Sequence, residues 1–219
     1  MTHTLVECRR THLEANTAGE GAPRHHKLER GRVSDKDTVM DLGAVGRREA
    51  FKTRSRELRR HMNRHDKLTP HFSAWEFYSS SDAKHFKDVE PPHNIMINVR
   101  HLACQLEVIR SEANKRLVGD GHTIQVGLTR SGGYRTTEHN DRQDGAKRSL
   151  HLFGKASDIK LRSLSNNPNG TNYGIHPEVV HKLILDLIKK GKIDQGGVGL
   201  YPGFVHYDTR GTAARWDET

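Results

Sequence analysis

An α+β fold is predicted for this chain, with a small antiparallel sheet flanked by helices and a basic helical or extended N-terminal arm. Three observations lead to this prediction. Two long segments repeat apolar residues at helical spacing, several short segments have the pattern of strands, and the N-terminal segment has few large apolar residues. The helical and strand segments do not alternate regularly, which favours the α+β class over a parallel α/β sheet.

Apolar periodicity predicts two helices in the C-terminal part of the chain. The first follows Pro91-Pro92 and covers about residues 94–117. Its apolar positions are Ile95, Val99, Leu102, Leu106, Ile109, Ala113 and Leu117. The second is amphipathic and covers residues 177–190, with Val180, Leu183, Ile184 and Leu187 facing inward.

Short segments of alternating or β-branched residues predict the strands. These segments are residues 123–129, 156–161, 196–201 and 204–208, the last two forming a pair around Pro202-Gly203. A polar loop or short helix is predicted over residues 135–144, and an Asn/Gly/Pro-rich loop over residues 163–174.

Pro70 marks the predicted boundary between a basic N-terminal arm, residues 1–69, and a domain over residues 70–219. The arm has 16 basic and 10 acidic residues and therefore carries +6 of the net charge of +9. A basic helix with a thin apolar stripe is predicted at about residues 45–65. Two interpretations of the arm remain open: a solvated or flexible segment, or one that orders on a protein assembly or a polyanion.

Composition bounds the class of protein. No apolar run approaches the length of about 18 residues that a membrane span needs, and the first residues have no signal-peptide pattern. We therefore expect a protein that is cytoplasmic in the producing cell. The two cysteines cannot form a disulfide-rich scaffold, and the positive charge favours polyanionic partners such as nucleic acid or teichoic acid.

The residues best suited to chemistry lie in two short segments. His151 and Asp158 are seven residues apart, and a turn at Gly154 followed by a strand lets both face one point. His206 and Asp208 are two residues apart and share a face of the last predicted strand. Two histidines and a carboxylate are a plausible Zn²⁺ ligand set that leaves a fourth position for water. From spacing alone, a surface histidine and a turn aspartate remain the alternative.

The motif Ser149-x-His151-x-x-Gly-x-Ala-x-Asp158 resembles the signature of the zinc D,D-carboxypeptidase and endopeptidase family, peptidase M15, which has the Hedgehog/DD-peptidase fold. Residues 131–140 resemble the family's Ser-Gly-Tyr-Arg-Ser-x-Glu-His-Asn block, with one additional glycine. Residues 197–211 resemble its Gly-x-Gly-x-Tyr-Pro…Phe-x-His-x-Asp-x-Arg-Gly block, and Arg215-Trp216 also fits. Upstream of these motifs, residues 72–77 and the predicted helix after Pro91-Pro92 resemble the branch related to murein endopeptidases and phage lysins.

The resemblance, which covers about residues 71–217, implies that His151, Asp158 and His206 bind zinc. Two alternatives remain: a degenerate site that keeps only the fold, or His206 as a catalytic histidine with the third ligand elsewhere. The resemblance also implies that Arg135 binds the scissile carbonyl oxygen or a substrate carboxylate. The alternative for Arg135 is a structural salt bridge, for example with Glu138.

The predicted general base departs from the family pattern. Many family members place a carboxylate three residues before the last histidine ligand, where this chain has Gly203. Asp208 is therefore predicted as the base, with orientation of His206 or pairing with Arg210 as its alternative role. The other predicted site residues are Glu138 and His139 as reserve bases, Ser149 as a turn or ligand-orienting residue, and Tyr134 as a cleft wall or substrate contact.

The predicted function is that of a zinc metallopeptidase that hydrolyses peptidoglycan stem or cross-bridge peptides. A phage lysin or virion-associated wall hydrolase, acting after lysis or as part of a virion, fits this prediction. The alternative is a structural or assembly protein that keeps the peptidase-like fold and docks through residues 1–69. Nucleic-acid binding by the arm is a third, weaker possibility.

Overall fold

The computed structural model describes residues 67–78 and 91–219. Within these ranges the chain forms three α-helices and six strands, which confirms the α+β class. The helices are α1 (His93–Arg116), α2 (Thr137–Arg142) and α3 (Pro177–Lys189). The strands are β1 (His122–Leu128), β2 (Ala156–Ser165), β3 (Tyr173–Gly174), β4 (Gly197–Tyr201), β5 (Phe204–Asp208) and β6 (Ala214–Asp217). Two 3₁₀ turns cover Ala74–Phe77 and Leu150–Phe153.

The six strands form one mixed sheet in the order β1-β2-β5-β4-β6, with β3 paired to β2. All neighbouring pairs are antiparallel except β4 and β6, which run parallel. The sheet is therefore mostly antiparallel, as predicted. β6 was not predicted because its short sequence has no clear strand pattern.

The hydrophobic core lies between one face of the sheet and the helices α1 and α3. In β2, Ile159 and Leu161 point into this core, so the alternating residues Asp158 and Lys160 lie on the opposite face. Antiparallel pairing places His206 of β5 directly beside Asp158, on the same face. The face of the sheet away from the core is thus the one that carries the candidate ligands.

Two predicted boundaries differ from the observed ones. β2 continues to Ser165, into the predicted loop at residues 163–174, because β1 pairs with residues 159–165 of β2 and β3 adds a second partner. Leu68 and Thr69 are buried, and the N–H of Leu68 donates to the Phe72 carbonyl at 2.9 Å. These last residues of the predicted arm therefore pack with the domain, whereas its predicted helix at residues 45–65 lies outside the described residues.

Within the described ranges, none of the helices combines the length and the apolar character needed to cross a bilayer.

A buried carboxylate at the end of α1 binds three cations. Glu112 is 6% exposed, and its oxygens lie 3.0 Å from Lys115 Nζ, 2.6 Å from Arg116 Nη2 and 3.0 Å from Lys192 Nζ. Burial alone raises the pKa of Glu112, but hydrogen bonds from the three cations outweigh burial and lower the pKa from 4.5 to about 2. The group thus links α1 to the chain segment that follows α3.

This ion cluster predicts a loss of stability in acid. Because the folded-state pKa of Glu112 lies below its unfolded value, its contribution is complete above pH 4.5 and is lost as the pH falls towards about 2. We expect the Glu112→Gln variant to lose about 1 kcal/mol of unfolding free energy at pH 7, since the cations are partly solvated. The difference from wild type should vanish near pH 2 in urea titrations. A Glu178→Gln variant is the control, and an equal pH dependence of all three proteins would contradict this account.

Candidate metal centre

Three residues from separate segments come together on the face of the sheet that points away from the hydrophobic core. His151 and His206 approach the same oxygen of Asp158: Oδ1 lies 3.3 Å from Nε2 of His151 and 2.8 Å from Nδ1 of His206. One ligand atom from each residue lies within 4.8 Å of the others. The three residues predicted to bind zinc are therefore neighbours.

A glycine explains how His151 reaches this point. His151 lies in the 3₁₀ turn Leu150–Phe153, which ends at Gly154 with φ of 63°, in the left-handed region. A Cβ on Gly154 would lie 2.7 Å from Val99 and 2.8 Å from Ile95 of α1. The backbone thus turns sharply at Gly154, packed against α1, and enters β2 with Asp158 beside the His151 imidazole.

The orientation of each imidazole is set by an acceptor behind it. Nδ1 of His151 lies 2.8 Å from the carbonyl oxygen of Gly133, which can only accept, so Nδ1 carries the proton and the Nε2 lone pair faces Asp158. Nε2 of His206 lies 3.2 Å from Oδ2 of Asp208, which leaves Nδ1 facing Asp158. Such acceptors behind ligand histidines are typical of metal sites.

The pKa shifts of the three residues differ in what they mean for a bound cation. Burial lowers the pKa of His151, which favours the neutral imidazole that a metal needs. Burial alone would raise the pKa of Asp158, but the imidazoles of His151 and His206 beside it outweigh burial and hold it below its ordinary value. For His206, burial lowers the pKa, but hydrogen bonds to Asp158 and Asp208 outweigh burial and raise it, so a metal would have to displace a proton from this ring. Two imidazoles and a carboxylate converging on one point fit Zn²⁺, and His151, Asp158 and His206 would hold it.

Arg135 pairs with a metal-site residue and not with Glu138. Its Nη2 donates to Oδ2 of Asp158 at 2.7 Å, and its Nε donates to the Ser131 carbonyl at 2.6 Å. Burial lowers the pKa of Arg135, although Asp158 opposes this shift. Among the residues that the structure describes, Nη1 has no hydrogen-bond partner, so this part of the guanidinium can still donate to a ligand.

Asp208 is buried behind His206 and accepts several hydrogen bonds. Its Oδ1 accepts from the Gly197 N–H at 2.9 Å and from the Arg210 N–H at 3.1 Å, and its Oδ2 accepts from Arg210 Nη2 at 2.6 Å. Burial alone would raise the pKa of Asp208, but the hydrogen bonds from His206, Arg210 and Gly197 outweigh burial and hold the pKa below its ordinary value. This geometry is that of the alternative role, in which Asp208 orients His206 and pairs with Arg210.

The remaining predicted residues surround the cluster without joining it. His139 is buried in α2, with Nε2 2.9 Å from the Ser131 hydroxyl, while Glu138 is exposed on the same helix. Ser149 precedes the 3₁₀ turn and makes no side-chain cap hydrogen bond. For Tyr134, burial and then the charge of Glu138 raise the pKa.

Sequence analysis missed two contributors to the site, both of them backbone carbonyls. The Gly133 carbonyl and the Ser131 carbonyl orient His151 and Arg135, and backbone groups leave no side-chain signal in a sequence. Trp216, part of the closing Arg-Trp pair of the resemblance, lies beside the site: its ring centroid is 5.1 Å from that of His206.

The additional glycine of the Ser-Gly-Gly-Tyr-Arg block has a structural role. The Gly132 carbonyl accepts from the Asp158 N–H at 2.8 Å, and the N–H of Tyr134 donates to the Phe77 carbonyl at 2.5 Å. A Cβ on Gly133 would overlap the Phe77 carbonyl group. The two glycines therefore let this loop pass closely between the Ala74–Phe77 turn and β2.

We expect Gly133→Ala to lower the free energy of unfolding by about 2–3 kcal/mol, because the new methyl group forces the loop away from Phe77 and His151. Urea denaturation would measure the change. Gly127→Ala is the matched control, since nothing lies within 4 Å of a Cβ at this position in β1. Equal stability of the two variants would show that the close approach at Gly133 is not required.

Comparison with known proteins gives one match. Residues 109–169 match the family model described as Peptidase M15, a range that contains Arg135, His151 and Asp158 and ends before His206. No curated protein matches the chain. No solved structure matches it. The match confirms the resemblance of this part of the chain to peptidase family M15, and with the His-Asp-His cluster it suggests a metallopeptidase.

Proposed function

We propose that this protein is a zinc metallopeptidase that hydrolyses peptide bonds in peptidoglycan stem or cross-bridge peptides. The observation that carries the proposal is the convergence of His151, Asp158 and His206 on one point, with Arg135 beside them. The net charge of +9 supports an anionic cell wall as the target. The resemblance to the phage-lysin branch supports delivery after lysis or within a virion.

Zinc at this site would polarise a peptide carbonyl and make a bound water acidic enough to act as a nucleophile. Arg135 supplies a positive charge that is already fixed by Asp158 and the Ser131 carbonyl. Its Nη1 donors would stabilise the negative charge that develops on the carbonyl oxygen. Gly133 and Asp208 hold the two imidazoles so that neither ring has to reorient when a metal binds.

Asp208 is our predicted proton acceptor, in addition to its orienting contact with His206. Its Oδ2 lies on the His206 side of the site, although it also accepts a 2.6 Å hydrogen bond from Arg210. Gly203, where many members of the resembled family have a carboxylate, cannot take this role. Glu138 and His139 are the alternative proton acceptors.

The direct test combines metal content with peptide hydrolysis. We expect elemental mass spectrometry of the purified full chain to find about one zinc per chain, and mass spectrometry of digested muropeptides to reveal one cleaved bond type. Chelation should abolish cleavage, and added zinc should restore it. Zinc-loaded protein that leaves purified muropeptides and whole peptidoglycan intact would overturn the proposal.

A second candidate, a docking or assembly protein that binds metal without hydrolysis, is favoured by the glycine at position 203 and by the occupied oxygens of Asp208. It predicts stoichiometric zinc in the purified chain but no new peptide fragments. The same digest therefore separates the two functions.

A further inference from the structure

A pocket lies near the candidate metal centre. It has a volume of about 330 Å³ and lies at the edge of β2 that faces β3 and β5. The ladder to β5 ends at Ile159 and the ladder to β3 begins at Arg162, and between them the Leu161 carbonyl accepts from the Ile175 N–H at 2.8 Å, so the sheet opens at Lys160. The β4–β5 turn and the start of α3 enclose the resulting opening.

The pocket is close enough to the metal centre to receive part of the same ligand. Lys160 lies two residues after Asp158, and Phe204 lies two residues before His206; both line the pocket. With a strand rise of about 3.3 Å per residue, the pocket begins roughly 7 Å from the candidate ligands. Lys160 lies on the same face of β2 as Asp158. A peptide with its scissile bond at the metal would place a neighbouring residue here.

Two positive charges line this pocket, and no acidic residue does. Lys160 and Arg162 are both exposed, and within the described ranges neither forms an ion pair. Arg135 and Arg210, in contrast, are paired with Asp158 and Asp208. The Lys160 ammonium lies 3.8 Å from the position that a Cβ on Gly203 would take, so it reaches the β4–β5 turn at the rim. Two uncompensated cations at a concave surface attract an anion.

The other walls of the pocket are apolar, which narrows the class of anion. Ile175, Pro177, Pro202 and Phe204 contribute apolar surface, with the buried side chains of Ile159, Leu161 and Val180 behind them. A small hydrated ion gains nothing from such walls, whereas a carboxylate on an aliphatic stem buries its methylene groups there and leaves its charge near the two cations. The combination favours an acidic amino-acid residue over a free inorganic anion.

We propose that this pocket, lined by Lys160 and Arg162, binds a free carboxylate of the peptide substrate, on a residue adjacent to the scissile bond. The inference deepens the proposed function and rests on it for the identity of the ligand as substrate. It predicts that the protein distinguishes a peptide with a free carboxylate from the same peptide with a carboxamide. Discrimination of this kind arises from charge and not from shape, because the two groups are nearly isosteric.

The test compares two stem peptides that differ only in whether the α-carboxyl group of D-glutamate is free or amidated. The full-length protein is titrated with each peptide by calorimetry without added zinc, and KM is measured for each with zinc. We expect about tenfold tighter binding and a correspondingly lower KM for the free carboxylate. In the variant Lys160→Met/Arg162→Met this ratio should fall close to one.

The matched control is Lys182→Met/Lys189→Met on α3, which removes the same total charge from exposed residues that do not line the pocket. It should keep the tenfold ratio. Equal affinity of wild type for both peptides, no binding of either, or an unchanged ratio in the pocket variant would overturn the inference. Glycerol 3-phosphate that competes as strongly as the free-carboxylate peptide would also overturn it, in favour of a phosphate ligand.

Failure of this inference is distinguishable from failure of the proposed function. If the binding ratio is observed but neither peptide is cleaved by the zinc-loaded protein, the peptidase function is wrong and the carboxylate site stands. If both peptides are cleaved with equal KM and bound with equal affinity, the function stands and the carboxylate site is wrong.

Discussion

His151→Ala is expected to abolish stoichiometric zinc binding and all peptide hydrolysis while the chain still folds. The substitution removes one of three ligand donors, and the remaining Asp158 and His206 cannot by themselves hold a metal of this kind in a fixed geometry. The variant also loses the imidazole that donates to the Gly133 carbonyl. We expect zinc content to fall from about one per chain to background, as measured by elemental mass spectrometry.

The fold should survive because the lost side chain lies outside the apolar core between the sheet and helices α1 and α3. Circular dichroism and thermal unfolding provide that check. His176→Ala is the matched control: it removes an exposed histidine that makes no cap hydrogen bond, and it should leave zinc content and hydrolysis at wild-type levels. Full hydrolytic activity in folded His151→Ala would contradict the metal centre itself.

Asp208→Asn is expected to weaken zinc binding by about 10- to 100-fold, the usual cost of losing the acceptor behind a ligand histidine. An asparagine can keep one oxygen for the Gly197 N–H, but its amide nitrogen then faces the donors of His206 and Arg210. The imidazole is no longer held with Nδ1 towards Asp158. We also expect about 2 kcal/mol of lost unfolding free energy, because Arg210 is partly exposed and can be rehydrated.

Zinc affinity by competition with a chromogenic chelator separates the two roles considered for Asp208. An orienting residue shifts the affinity, whereas a general base shifts kcat at saturating zinc. A variant that binds zinc as tightly as wild type but has lost turnover would make Asp208 the proton acceptor and contradict the orienting role. Asp217→Asn, at an exposed position in β6, is the control for loss of one carboxylate.

Local sequence signals were sufficient for most of the fold. The apolar repeat in α1 and the amphipathic pattern of α3 predicted both helices to within one or two residues at each end. The strands β1, β4 and β5 were predicted with similar accuracy: β1 and β5 alternate between buried and more exposed positions, and β4 is a short buried segment next to the Pro202-Gly203 turn. β6 and the parallel β4–β6 pair were not predictable in this way, since Ala214–Asp217 is largely solvated and has no apolar pattern.

The sequence by itself determined the class of the fold, the resemblance to peptidase M15 and the set His151, Asp158 and His206 as ligand candidates. Apolar periodicity carries the fold class, and the resemblance of the motifs to the family carries the ligand set. Only the tertiary structure decided which partner each charged group takes. Arg135 pairs with Asp158 and not with Glu138, and Asp208 binds Arg210 and Gly197 behind His206.

The physical reason is that these contacts join residues far apart in sequence through strand register and backbone carbonyls. The pairing of β2 with β5 brings Asp158 beside His206, 48 residues away, and the close passage of Gly133 supplies an acceptor for His151. The cationic pocket likewise exists only because the ladders to β3 and β5 leave a gap along β2. A gap between two ladders is a property of the assembled sheet, so no single segment of the sequence records it.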